Sequence, residues 1–338
     1  MLKELKPVAS FWQAEEEGSV RCELCPHRCL INKGHSGICK VRRNEGGALV
    51  LPFFGLISSL AVDPIEKKPL HHFLPGSSVF SAGFVGCNMR CPFCQNWRIS
   101  QEIPSSESSE RLSPESLVAA ALRSGAPSVA YTYSEPTIHY EFVLAAMSAA
   151  RAAGLKNVLV TNGCIESGPA RALLGHTDAV NVDLKAWSPE AYEKMLGGYR
   201  DTVLEFIRIA ASLCHLEATT LIVPSLSDSI EGIESISAFL ASISPDIPLH
   251  LSAYYPAWKY EAPPIPIDSL SELARASRVS LRYVYLGNII GNNADTHCPS
   301  CGSVVIARHG YRIDVQGMTI SDSRASCSQC GFSLPIIV

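Results

Sequence analysis

The 338-residue sequence has no run of about 18 uncharged apolar residues, the length a membrane-crossing helix requires, so no transmembrane segment is expected. Its opening, MLKELKPVASFWQ, lacks both a long apolar stretch and a small-residue cleavage site, which argues against a secretory signal. An excess of charge is also missing. The 28 Lys and Arg against 32 Asp and Glu leave −4, which gives the whole chain no electrostatic hold on nucleic acid. Charged residues make up 18% and apolar residues 47%, ordinary globular usage, so wholesale disorder is excluded. At about 100–200 residues per domain, the length allows two domains or one large domain with appendages. The expectation is a cytoplasmic globular protein with no membrane or nucleic-acid partner.

Cysteine is abundant. The chain has 13, and in a reducing compartment clustered cysteines read as metal ligands before disulfides. Eleven fall into three groups: Cys22, Cys25, Cys29 and Cys39; Cys87, Cys91 and Cys94; and Cys298, Cys301, Cys327 and Cys330. Cys164 and Cys214 stand alone and read as small buried apolar residues.

Between residues 77 and 287, strand patterns at 77–85, 128–133, 157–161, 178–183, 216–223, 248–254 and 282–288 alternate with helical ones. The helical stretches are 113–124, 139–153, 167–174, 189–213, 229–242 and 268–278; Ser113, Pro114 and Gly125 supply a cap, a first-turn proline and a stop for the first. Such alternation predicts βαβ units and a parallel sheet. These 211 residues hold about six units, and a full eight-unit barrel needs about 250 residues. The fold class expected is therefore α/β: a partial (β/α)6 TIM-like barrel over 77–288. A Cys-rich cap (1–76) precedes it and a zinc-ribbon-like tail (289–338) follows. An open doubly wound sheet is the competing arrangement. Chemically distinctive residues follow the strands, at Cys87–Cys94, Ser134-Glu135-Pro136, Asn162-Gly163, Asp183-Leu184-Lys185, Pro224-Ser225, Tyr254-Tyr255 and Gly287-Asn288. In parallel barrels these C-terminal strand ends form the active face. Residues 101–110 read as a polar loop.

The middle group, Cys87-Asn88-Met89-Arg90-Cys91-Pro92-Phe93-Cys94, offers three thiolates in C-x3-C-x2-C spacing. Electron-transfer [4Fe–4S] clusters use four cysteines; three leave one iron open, and an open metal position is where chemistry happens. A structural zinc cluster is the bland alternative. The spacing, with aromatic Phe93 before the last cysteine, resembles the radical S-adenosylmethionine (SAM) superfamily. That resemblance implies a [4Fe–4S] cluster whose open iron binds SAM. Reductive cleavage of SAM would give a 5′-deoxyadenosyl radical that takes a hydrogen atom from a substrate.

The resemblance extends to other positions. Ser134-Glu135-Pro136 sits where the superfamily usually has Gly-Gly-Glu-Pro, which holds the SAM amino group; Glu135 keeps the carboxylate and Ser134 replaces a glycine. Asn162 resembles the TNG loop of glycyl-radical-enzyme activases. Asp183-Leu184-Lys185 resembles their D-x-K motif, which implies a monovalent cation near Asp183 and a SAM-carboxylate partner in Lys185. Gln95 and Asn96 stand where activases have His-Asn beside the adenosine. Tyr255 falls where they often place a ribose-contacting histidine.

The last group, two CxxC knuckles 25 residues apart and each followed by glycine (Gly302, Gly331), is a strong zinc-ribbon signal, with a second iron–sulfur cluster as the alternative. The first group has less diagnostic spacing; its four thiols, with His27 and His35 as stand-ins, suit zinc or an auxiliary iron–sulfur centre. Residues 21–43 carry six basic side chains and one acidic, a surface for an acidic partner or a solvated basic face.

Read together, CELCPHRCLINKGHSGICKVR, DPIEKKPLHHFLPGS, GCNMRCPFCQNW, YTYSEPTIHYEF and the terminal CPSCG resemble the radical SAM component of the AmmeMemoRadiSam system, related to the activating enzymes of pyruvate formate-lyase. This implies Memo-like and AMMECR-like partner proteins and a reductant such as flavodoxin or ferredoxin. Lys67, Lys68, His71 and His72 belong to the match; the two histidines are either acid–base groups at the mouth or ordinary loop residues. The leading expectation is a radical SAM oxidoreductase acting on a small molecule or protein. One version is an activase installing a glycyl radical on a partner docked at 287–311 and the cap. The non-enzyme alternative is a zinc-ribbon adaptor for protein or nucleic acid.

Overall fold

The computed structural model describes residues 7–102, 111–289, 291, 294–321 and 324–338. Most of the expected polar loop at 101–110, the first six residues of the opening segment, and part of the 287–311 docking stretch lie outside them.

Eight strands form the central sheet: β1 (Ser59–Pro64), β2 (Ser78–Gly83), β3 (Ser128–Thr132), β4 (Lys156–Thr161), β5 (Ala179–Asp183), β6 (His215–Ile222), β7 (Leu249–Ala253) and β8 (Val284–Gly287). Neighbours in space are neighbours in sequence, and β2 through β8 are all parallel. A doubly wound sheet would reverse direction at a switch point. This order never reverses, so the competing arrangement is excluded and the partial-barrel order stands. The expectation missed β1. It lies in the stretch assigned to the cap, yet pairs antiparallel with β2 along its whole length.

Six helices make the crossovers: α1 (Pro114–Ser124), α2 (Tyr140–Ala152), α3 (Ser167–Leu174), α4 (Arg200–Leu213), α5 (Ile230–Ile243) and α6 (Ile267–Ser277). Local chemistry sets their ends. The Ser113 hydroxyl accepts from the Ser116 N–H at 3.1 Å, and Gly125 takes the left-handed turn at φ 75° that ends α1. The helix expected over 189–213 is instead broken. A short turn (Pro189–Ala191) runs into one π-turn (Tyr192–Leu196), and α4 begins after Gly197 and Gly198. A side chain at Gly198 would sit 2.6 Å from Met89 Cε, so the break lets this backbone meet the cysteine loop. None of the described helices is long and apolar enough to cross a membrane.

Side-chain alternation on β6 puts His215, Glu217, Thr219 and Leu221 on one face. Glu217 is fully buried toward the strand's start. Its carboxylate accepts from the backbone N–H groups of His71 (3.0 Å) and His72 (2.7 Å) and from Nε2 of His215 (3.0 Å) and His250 (2.7 Å). Burial opposes that charge, but the hydrogen bonds from His215 and His250 outweigh it and hold Glu217 well below the usual carboxylate range. His72 Nε2 pairs with the Tyr285 hydroxyl at 2.7 Å, and Tyr285 with Thr296 Oγ1 at 2.8 Å. Arg308 donates to Thr296 Oγ1 and to the His71 carbonyl, each at 2.7 Å. This buried network floors the barrel and fastens the tail, which has a small core of its own, beneath it. His71 and His72 are therefore floor residues and do not line the mouth.

Candidate active site

At the C-terminal strand ends lies a cavity of about 360 Å³. Its lining includes Cys87, Cys91, Phe93, Cys94, Gln95, Asn96, Ser134, Glu135, Asn162, Asp183 and Lys185, so the topology gathers these sequence-expected residues at one mouth. Tyr255 is not among them. Tyr254 turns inward and is buried, which sends Tyr255 outward, 42% exposed, with its hydroxyl donating to the Asn288 carbonyl at 3.2 Å.

The cysteine loop follows β2 and is pinned from several sides. The Arg90 N–H donates to the Leu196 carbonyl at 2.7 Å, Gln101 Nε2 to the Met89 carbonyl at 3.0 Å, and the Lys259 N–H to the Pro92 carbonyl at 2.9 Å. Gly86, at φ 79°, lets the cap approach: a Cβ there would lie 2.6 Å from the Cys39 carbonyl oxygen. The Cys87 sulfur accepts from the Met89 N–H at 3.3 Å and faces Asn162 Nδ2 at 3.6 Å; the Cys94 sulfur lies 3.3 Å from Ser100 Oγ. Burial raises the Cys91 thiol to about 11 and pushes Cys87 up further. The cavity lining offers no imidazole and no fourth thiol. Three sulfurs with donors already aimed at one of them fit a cluster held on three corners with the fourth left to a ligand.

Glu135 is buried and takes four hydrogen bonds. Oε1 accepts from Thr137 N (3.0 Å), Thr137 Oγ1 (2.6 Å) and Thr161 Oγ1 (2.7 Å), and Oε2 accepts from Asn162 N (2.8 Å). Burial still raises its carboxyl above the ordinary value. Asn162 in turn donates to Asn88 Oδ1 at 3.0 Å and accepts from the Cys164 N–H at 2.8 Å. Next to Glu135, the Ser134 hydroxyl is buried with no protein partner, as an oxygen reserved for a ligand would be. Lys185 Nζ bonds Asp183 Oδ2 at 2.8 Å; burial acts against its charge, but Asp183 and Cys91 hold the ammonium well above its ordinary value. Asp183, where a monovalent cation was expected, thus already has a cation of the chain's own.

A second charged group lines the cavity and was missed as a unit. Asp63 on β1 accepts from Lys68 at 2.7 Å, from Lys67 at 3.0 Å and from the Tyr133 hydroxyl. Lys68 Nζ lies 4.3 Å above the Tyr133 ring. Tyr133 adopts φ 69°, a conformation that favours glycine, and is held there by Asp63, Lys68 and the Asn96 side chain, which donates to its carbonyl at 2.7 Å. The Asp63/Lys67 spacing i, i+4 was the signal available in the sequence.

All 13 cysteines are free thiols. In the tail, Cys298 and Cys330 sulfurs lie 3.6 Å apart and Cys301 and Cys327 sulfurs 3.7 Å. Tetrahedral zinc with bonds of about 2.3 Å requires sulfur–sulfur edges of about 3.8 Å. Among the described residues this is the group of Cys, His, Asp or Glu close enough to share one metal ion. Around the cap cysteines most basic residues are paired: Arg21 with Glu15, Arg28 with Glu23, Arg42 with Glu141 and Arg43 with Glu45. Cys164 is buried as expected, while Cys214 is half-buried.

A family model described as the Radical SAM superfamily matches residues 83–239. An uncharacterised protein of Methanocaldococcus jannaschii is 39% identical over 336 residues, 98% of this chain and 99% of that one. The pyruvate formate-lyase-activating enzyme of Clostridium pasteurianum is 25% identical over 171 residues, 47% of this chain and 68% of its own length. Among solved structures, a radical SAM methyltransferase from Sphaerobacter thermophilus matches with a TM-score of 0.51 at 14% identity, over 69% of this chain and 71% of its own, a likeness of fold alone.

Proposed function

The chain belongs to the radical SAM superfamily, and on that premise we propose that it is an oxidoreductase whose [4Fe–4S] cluster and SAM meet at the barrel mouth. One observation carries the reading: a single cavity is lined by three converging cysteines, the buried Glu135, the unpartnered Ser134 hydroxyl and the Lys185–Asp183 pair. When bound, the cluster and SAM supply a reductively formed carbon radical able to take a hydrogen atom from a substrate.

Cys87, Cys91 and Cys94 would hold the cluster. The Met89 N–H and Asn162 Nδ2 favour the Cys87 thiolate by donating to it. Lys185 offers a cation to the SAM carboxylate. Ser134 offers a hydroxyl, and Glu135 Oε2, which accepts from the Asn162 N–H, keeps capacity for an ammonium group. Gln95 and Asn96 form the rim on which the adenosine would rest. On the β1 side two lysines share one aspartate, an excess positive charge that suits an anionic group on the substrate.

The likeness to the Clostridium enzyme favours a finer version in which the substrate is a partner enzyme that receives a glycyl radical. A flavodoxin or ferredoxin would serve as reductant, and Memo-like and AMMECR-like proteins as further partners. In the tail, the four sulfurs at tetrahedral spacing would hold a structural zinc, which stabilises a segment too short for a large core.

The test is anaerobic. The protein is reconstituted with iron and sulfide, reduced with dithionite and given SAM, and 5′-deoxyadenosine is quantified. Deoxyadenosine is expected from the parent chain and not from Cys91→Ala; undiminished product in that variant would sink the proposal.

A further inference from the structure

The four cysteines of the cap lie outside the cavity, yet the fold brings them together behind the barrel's cysteine loop. Cys22, Cys25 and Cys39 are buried and Cys29 is half-buried. They sit on one strand of a three-stranded sheet and in the turns that follow it. Each is within electrostatic reach of another: Cys22 of Cys29, Cys25 of Cys39 and Cys22, and Cys39 of Cys22 and Cys29. None is in a disulfide.

We infer that Cys22, Cys25, Cys29 and Cys39 form a second iron–sulfur site, a [4Fe–4S] cluster held by the cap. Three observations point to a cluster over a single zinc ion. First, the tail's four sulfurs stand at zinc-tetrahedron edges of 3.6 and 3.7 Å, and the cap sulfurs are not drawn that close; in this they match Cys87, Cys91 and Cys94. A polynuclear centre holds its thiolates farther apart than one zinc ion does, because each sulfur binds a different iron.

Second, a buried cation stands beside the group with a donor to spare. The Arg42 side chain is 1% exposed. Its terminal nitrogens serve Glu141 and the carbonyls of Ser10 and Ile138, but its Nε–H is buried with no partner. Besides Glu141, the negative groups around Arg42 are Cys22 and Cys39. Four thiolates around a [4Fe–4S] core leave a net negative centre, which such a cation stabilises.

Third, the group is wired to the barrel site by direct contacts. His27 Nε2 bonds the Asn88 carbonyl at 2.8 Å, Asn88 Nδ2 donates to the Cys164 carbonyl at 2.7 Å, and Cys25 lies within reach of Cys164. Asn162 links Asn88 to the Cys87 sulfur. A purely structural ion needs no such neighbour.

The experiment uses the full chain with Cys87, Cys91 and Cys94 all replaced by alanine, its folding checked by circular dichroism against the parent. After anaerobic reconstitution, iron, sulfide and zinc are measured, and the reduced sample is examined by electron paramagnetic resonance. About four irons and four sulfides per chain, with a reduced-cluster signal, are expected. Their absence, or two zinc ions per chain and no iron, overturns the inference. In the parent background, Cys25→Ala with Cys39→Ala should halve the iron, from about eight to about four. A parent that holds only about four irons, all lost with Cys87, Cys91 and Cys94, refutes the cap cluster and leaves the barrel reading intact. Retention of all iron by the triple variant does the reverse.

Discussion

Replacing Glu217 by glutamine tests whether the barrel floor holds the mouth and the tail in place. The carboxylate takes four donors, two on each oxygen: His72 N–H and His215 on one, His71 N–H and His250 on the other. Glutamine has nearly the same shape but only one acceptor oxygen. Its NH2 end would face one backbone N–H and one imidazole. The imidazole can switch tautomer and accept; the backbone N–H cannot. One buried N–H is therefore orphaned and the remaining bonds lose charge assistance. Hydrogen bonds to a charged group contribute about 1.5–3 kcal/mol each, so two of them set the loss at about 3–6 kcal/mol. Relief from burying a charge offsets part of this and favours the lower end. With an unfolding entropy of about 2.1 cal/mol/K per residue, 338 residues give about 0.7 kcal/mol/K, so Tm should fall by about 4–8 °C. Thermal unfolding followed by circular dichroism at pH 7.5 reads this directly. A shift under about 1 °C would show that the carboxylate does not hold the floor, since even one charge-assisted bond predicts more.

The same floor gives a pH dependence. Burial lowers His72 to about 3 and His139 to about 4. In the unfolded chain both titrate near 6.5, so the folded state excludes protons the unfolded state accepts. Stability is full above about pH 6.5 and declines as pH falls, by up to about 1.4 kcal/mol per unit for each histidine, with Glu217 adding to the loss below about 4.5; urea midpoints unchanged between pH 7.5 and 5.5 would contradict it. Lys185→Met should weaken SAM binding about 10- to 150-fold, the equivalent of a charge-assisted bond worth about 1.5–3 kcal/mol, and unaltered binding in anaerobic equilibrium dialysis rules out that role. Gly86→Ala forces a Cβ to 2.6 Å from the Cys39 carbonyl at φ 79°. It should destabilise by at least about 1–3 kcal/mol and lower iron loading, because the cap must lift off the cysteine loop; normal Tm and full iron content would show the contact to be slack.

Much of this protein was legible in one dimension. The alternation of apolar runs gave seven parallel strands and six crossovers because strand and helix impose different periods on buried side chains. Cysteine spacing exposed the metal sites because ligands to one centre must come from short, turn-closed segments. The residues after the strands converged as expected, since a singly wound parallel sheet carries all its C-terminal ends to one side. What stayed hidden depends on contacts between distant segments. Strand β1 reads as part of the cap until it pairs with β2. The 189–213 stretch has helical composition throughout, and only the approach of Met89 and Arg90 explains why it breaks at Gly197 and Gly198. Tyr255 and Tyr254 are indistinguishable by type, and the turn after β7 chose which faces inward. Glu217, His71, His72 and Arg308 come from segments up to 237 residues apart, so their shared floor has no local signature. Composition and periodicity thus determined the fold class, the metal chemistry and which strand ends face the cavity. Tertiary packing alone decided which polar groups are buried together, because that burial sets their partners, their charge states and the side of the barrel on which they act.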